Sequence, residues 1–139
     1  MSLLNTPERC VIVVDAGLPA GRAANAAAVL ALTIGQRYPT LVGAPIIDAS
    51  GHEHPGLTPI GIAVLAAPLE DLPALRAKAT SVGCDIVDFP VQGQQTTDYQ
   101  AFQAAVAAVP TDELQYVAIA LVGERKPIGK IVGKLGLLK

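Results

Sequence analysis

The sequence predicts a layered α/β domain, and three observations carry that reading. Short apolar, β-branched runs alternate with stretches whose apolar residues recur at helical spacing, the pattern of strands interleaved with helices. The first run, RCVIVV at Arg9–Val14, ends at Asp15-Ala16-Gly17 and leads through Pro19 into an alanine-rich stretch, which is strand, glycine turn and helix in order. The chain has 139 residues, 51% of them hydrophobic, enough for one domain over 1–139 that folds without disulfides or a metal.

Each element follows from local chemistry. Arg9–Val14 reads as a central strand buried on both faces. Pro19 sits where a helix begins, and Ala, Leu and Val continue it to about Gly35. Asp48-Ala49-Ser50-Gly51 then separates Ile46-Ile47 from His52-Glu53-His54, which predicts a small hairpin between Pro45 and Pro59. Gly61–Ala67 (GIAVLAA) reads as the second core strand. Pro68 opens a helix with Leu69, Leu72, Leu75 and Ala79 on one apolar face, and Asp85–Phe89 is a weaker strand. Asp98–Val109 is helical, with Tyr99, Phe102, Val106 and Val109 on one side and Pro110 at its end. Tyr116–Val122 (YVAIALV) is the other central strand, and Pro127–Leu135 forms a terminal helix.

Composition narrows the function classes. With 16% charged residues the chain is too apolar for intrinsic disorder, and its longest apolar run, Ala26 to Leu32, is far short of the ~18 residues of a membrane span. Glu8 lies among first residues that lack an apolar leader, and Cys10 and Cys84 form no CxxC pair. Reduced thiols in a cytoplasmic protein are the expectation. A net charge of −2 argues against general nucleic-acid binding. It conceals a split, since residues 123–139 carry 5 basic and 1 acidic side chains against 5 and 11 in residues 1–122. A mean hydropathy of +0.45 with only 4% aromatics makes the hydrophobic mass small and aliphatic, including 23 alanines. That predicts extensive helix covering or a subunit interface, and hence a homodimer.

The first strand–helix turn is the leading candidate site. In the helix from Pro19 to Gly35 the few polar residues, Arg22, Asn25 and Thr33, fall with Gln36 on one stripe, so the rest must be covered. Free backbone amides and the positive helix end gather beside Arg22 and Asn25. Gly17 and Gly21 admit a ligand close to the backbone, with Asp15 at the rim. The product is a pocket for an anionic or amide-bearing small ligand; the bland alternative is a turn glycine, a solvated arginine and a satisfied asparagine. Thr96 and Thr97 offer hydroxyls to the same ligand, although Thr97 or Asp98 as a helix N-cap explains that segment as well. His52 and His54 share a side of an extended segment near Asp48, yet two or three local ligands without HExxH fall short of a metal site. No metal and no cofactor are expected. Lys126, Lys130 and Lys134 recur at helical spacing, either as a phosphate-contacting face or as a solvated surface.

The segments "RCVIVVDAGLPAGRAANAAAVLA", "LVGAPIIDASGHEHPG", "PIGIAVLAA" and "VAIALVGERKPIGKIVGKLGLL" occur in that order. Together they resemble a bacterial family of uncharacterised domains whose fold is similar to type II peptidyl-tRNA hydrolases. The resemblance implies a three-layer α/β/α sandwich with a mixed sheet, often dimeric. Gly21-Arg22 stands near the Gly-Lys of those enzymes and Asn25 replaces their Gln, while their His falls at about Ala28. Their Asp-Ala-Gly-x-Thr segment corresponds to an alanine-rich region, Ala104 to Ala108, with Thr111-Asp112 nearer the strand. Ester hydrolysis needs an activated water and a stabilised oxyanion, and Ala28 supplies neither. The first expectation is therefore a non-hydrolase binding domain. The alternative is an esterase for aminoacyl or peptidyl RNA, with Arg22 at the oxyanion and Lys126, Lys130 and Lys134 on phosphates; RNA is not the favoured partner.

Overall fold

A computed structural model describes residues 6–139; the expectation about a leader concerns in part residues outside that range. Its strands are β1 (Arg9–Asp15), β2 (Ile46–Ile47), β3 (Glu53–His54), β4 (Ile62–Ala67), β5 (Asp85–Pro90) and β6 (Tyr116–Gly123). Its α-helices are α1 (Ala20–Arg37), α2 (Leu72–Ser81), α3 (Tyr99–Ala107) and α4 (Arg125–Val132). Four strands form a mixed sheet in the order β4-β1-β6-β5. β1 runs parallel to β4 and antiparallel to β6, and β5 is antiparallel to β6.

The two central strands are the two most continuously apolar segments, since only a strand covered on both faces requires such runs. Alternate residues of β1 feed two separate cores. Cys10, Ile12 and Val14 meet Ala23, Ala26, Leu30 and Ile34 of α1 on one face. Val11 and Val13 join Leu72 and Ala79 of α2 and Ile128 and Val132 of α4 on the other. β6 sorts its residues by size as well: Ala118 and Ala120 face α1, whereas Ile119 and Leu121 face α2 and α4. Methyl against methyl lets the alanine-rich α1 lie close to the sheet. Helices thus cover both faces of a four-stranded mixed α/β sheet.

Ion pairs fix the helices to the edge strand β5. Arg37 pairs with Asp85 at 2.7 Å, and the Tyr38 hydroxyl donates to the same carboxylate at 2.5 Å. Burial, with the Asp85 carboxylate as a second cause, pushes the Tyr38 phenol up to about 12. On the other face Arg76 of α2 holds Asp88 at 2.7 Å and lies 5.5 Å from the centre of the Tyr116 ring. Helix α2 ends at Ser81, and Gly83 just beyond it takes a φ of +79°, which suits a residue without a Cβ.

The structure departs from the sequence reading in four places. Helix α1 runs two residues further than Gly35 and is buried on one side only, with Ala24, Ala28, Val29 and Leu32 exposed. Part of its apolar circumference is therefore left uncovered by the described residues. The GIAVLAA segment, expected as a core strand, is only half-buried over much of its length at the sheet edge, where the C-terminal tail runs along it: Leu138 N donates to Val64 O at 2.9 Å and Ala66 N to Gly136 O at 3.0 Å. Leu69–Asp71 is a 3₁₀ turn ahead of α2, whose second residue is Pro73. Helix α4 stops at Val132, so Lys134 lies beyond it and only Lys126 and Lys130 share the helix.

No described helix is long and apolar enough to cross a membrane.

Candidate functional site

The strand–helix turn after β1 is tightly specified. Ala16 N donates to Ala67 O at 2.9 Å, and the Asp15 carboxylate accepts from Gly17 N at 2.9 Å. Asp15 therefore serves the turn as an acceptor two residues ahead of its donor, a habit of aspartate at loop starts. Pro19 occupies the N-cap with extended backbone and offers no side-chain acceptor, and the first helical bond runs from Ala23 N to Pro19 O at 3.0 Å. Among the described residues the amides of Ala20, Gly21 and Arg22 meet no acceptor. The first turn of this 18-residue helix carries no acidic residue, and the nearest carboxylate is that of Asp15 in the preceding turn, already engaged by Gly17 N. At Gly21 a Cβ would meet nothing within 4 Å, so no described residue demands glycine there.

A groove of about 450 Å³ runs along the β4 side of this turn. Leu18, Ala20, Ala23, Ala24 and Ala27 make one wall, Val64 the floor, and Leu137, Leu138 and Lys139 of the tail the other wall. The alanines create the width, and the tail that pairs with β4 closes the side. Lys139 is the charged residue among these lining groups.

The Asn25 side chain and the Arg22 backbone carbonyl meet the β5 side instead, while the Arg22 side chain is exposed. The segment after β5, a 3₁₀ turn over Val91–Gln94, comes up against α1 there: Gln94 Nε2 donates to Arg22 O at 2.9 Å and lies 3.3 Å from Asn25 Oδ1. Gly93 lies so close to the Phe89 ring that any Cβ would overlap it. The side-chain oxygens of Gln92 and Gln94 are buried without a partner. Thr96 comes near, but its hydroxyl donates to Gln92 O at 2.9 Å and so braces its own loop. Thr97 is exposed, and Asp98 is the N-cap of α3, accepting from Ala101 N at 2.8 Å. Gln92 and Gln94 are the polar residues the sequence reading passed over; the signal was an amide on each side of a glycine.

The basic residues of α4 form a different locality. Arg9 opposes Gly123 across the β1–β6 ladder, and Arg125 N donates to the Glu8 carboxylate at 2.9 Å. Lys126 therefore begins at the end of β1 remote from Asp15, roughly 20 Å away at about 3.3 Å per strand residue. Helix α4 also packs on the face opposite α1. Arg22 and the lysines are not brought together.

Other reactive groups are occupied or shielded. Burial pushes the Cys10 thiol up to about 11, and burial with the nearby Glu124 also raises that of Cys84, so neither is an activated nucleophile. His54 lies 2.9 Å from Asp48 in the exposed hairpin, and the described residues hold no group of three or more residues able to bind a metal ion.

The sequence model for proteins of unknown function designated DUF2000 matches residues 8–139. The chain belongs to the DUF2000 family. No curated protein matches it. A solved protein of unknown function from Agrobacterium tumefaciens shares the fold with a TM-score of 0.84, at 20% identity over 93% of this chain and 96% of that one. The DUF2000 fold thus persists while most side chains change, and the likeness speaks for the scaffold alone.

Proposed function

We propose that this domain binds a small amphipathic anion at the first strand–helix turn. The groove of about 450 Å³ beside α1 carries the reading, because it joins an apolar channel to an uncapped helix N-terminus. An apolar body fits against Ala20, Ala23, Ala24 and Ala27, whose methyls leave room and whose surface gains from losing water. The anionic or amide end takes hydrogen bonds from the free amides of Ala20, Gly21 and Arg22, with Lys139 on the opposite wall. Asp15 and Gly17 hold the turn in shape rather than touching the ligand, and Asn25, with Thr96 and Thr97 on the facing loop, belongs to the β5 side of the helix.

The related-hydrolase reading, with its three-layer scaffold, finds less support in the residues. Ala28 is an exposed methyl where the related enzymes carry a proton-transferring His, and the α4 lysines lie too far from Arg22 to hold the same substrate.

The test is fluorescence titration with anilinonaphthalene sulfonate, an apolar anion, followed by competition with decanoate and with decylamine. Decanoate should displace the probe and decylamine should not. Ala24→Trp, on an exposed position of the groove wall, should abolish binding while leaving the circular dichroism unchanged. Equal binding by the Trp variant, or equal competition by the amine, overturns the proposal.

A further inference from the structure

Residues 42–59 form a ribbon whose construction is detailed and whose packing against the rest of the chain is slight. At its base Gly43 N donates to Leu57 O at 2.8 Å, and Gly56 fits so tightly that a Cβ would overlap the Gly43 carbonyl. Ile46 pairs with His54 and Ile47 with Glu53. At the tip Asp48 accepts from Ser50 N at 2.9 Å and His52 N at 3.1 Å, and Gly51 takes a φ of +82°. Yet every residue from Ala44 to Pro55 is exposed. A two-stranded ribbon with nothing against it is marginal in water, so turn chemistry of this quality points to an element made to be covered.

Its surface says by what. Val42, Ile46, Ile47 and Leu57 are 49–68% exposed, and neighbouring Ile46 and Ile47 point to opposite faces. The same chain leaves Val29 and Leu32 bare on the outward side of α1, at 41% and 79% exposure. These six account for most of the large exposed hydrophobics of the described chain. Charge is matched as well. The ribbon carries Asp48 and Glu53 and no lysine or arginine, whereas α1 carries Arg22 and Arg37 and no acid. Arg37 is spent on Asp85, and Arg22 has no carboxylate partner among the described residues.

We infer that the ribbon is an arm that docks on the outward face of α1 in a second copy of this chain. A two-fold pair is self-complementary: each molecule gives an acidic apolar arm and receives its partner's on a basic apolar helix. The second face of the ribbon then meets the partner's ribbon, which covers both isoleucines. Arm and helix face together offer about two dozen residues, within the roughly 20–30 per side of a standard stable interface. This explains the uncovered circumference of α1, which the chain folded alone does not.

The experiment is sedimentation equilibrium of the whole chain over a dilution series, with Leu32→Asp and Ile47→Asp alongside. Wild type should weigh twice 14.3 kDa. Each variant, exposed in the single chain, should keep its circular dichroism and associate at least about thirtyfold more weakly. In a Cys84→Ser background, mixing Leu32→Cys chains with Ile47→Cys chains should give an intermolecular disulfide on oxidation. A monomer at every concentration overturns the inference. So does a dimer that neither aspartate loosens, because it would use another face.

Discussion

Gly21→Asp should stabilise the fold and weaken the ligand at once, a combination that a purely structural helix start would not produce. Gly21 is the second residue of α1, and a Cβ there meets nothing within 4 Å. Exchanging glycine for a better helix former is worth ~0.3–0.5 kcal/mol. A carboxylate in a first turn that has none adds ~0.3–1 kcal/mol through the helix dipole. With an unfolding entropy near 2.1 cal/mol/K per residue, a gain of ~1 kcal/mol raises Tm by roughly 3 °C for a chain this long. The same carboxylate repels an anion on the neighbouring amides. At ~5 Å, between the dielectric of water and that of a protein surface, the repulsion is ~1–3 kcal/mol, or roughly 5- to 150-fold in affinity. The assay is thermal denaturation together with decanoate displacement of anilinonaphthalene sulfonate, with Gly21→Asn as the uncharged control. If Gly21→Asp and Gly21→Asn bind decanoate within twofold of each other, the anionic end does not lie at this helix terminus. A fall in Tm would show that Gly21 is held by a contact absent from the structure.

Three further outcomes test the fold. Leu30→Ala, 1% exposed under α1, should lose ~2–5 kcal/mol in urea unfolding, while Leu32→Ala, 79% exposed, should stay within ~0.5 kcal/mol in dilute solution. Tyr38→Phe should lose about 1–2 kcal/mol, because Asp85 is deprived of a donor. Since the Tyr38 phenol is raised from 10.0 to about 12, its contribution should be intact below pH 10 and lost as pH rises through about 12, a loss absent from Tyr38→Phe. The Asp48 carboxyl is held below the ordinary carboxylate range by His54 and the amides of His52 and Ser50. Its turn should thus stay ordered as pH falls through that range and open only below it, seen as a late shift of the His52 amide resonance.

Much of this was legible before any coordinates. RCVIVV and YVAIALV are central because uninterrupted apolar runs are tolerable only when both faces are covered, and those runs are where the sheet has its middle. The hairpin was legible too, since Asp48, Ser50 and Gly51 fix the turn through local hydrogen bonds and one left-handed glycine. The glycine turn before α1 was legible as well, since Asp15 and Gly17 stand where the chain leaves β1 for the helix. What periodicity missed was direction. Arg22 and Asn25 do lie a turn apart on α1, but that Asn25 meets Gln94 depends on β5 lying at the sheet edge, a fact of strand order.

The alanines show the division most plainly. By itself the sequence determined that α1 is a helix and which of its methyls share a face, because helix formation depends on neighbours a turn apart. It also determined that the basic tail and the acidic body differ in charge. Only the tertiary structure decided that one face of α1 meets Ala118 and Ala120, that another opens a groove closed by the tail, and that a third is left bare. Those outcomes depend on contacts between residues far apart in the chain. A methyl reads the same in sequence whether it fills a core, widens a pocket or stays bare on the surface.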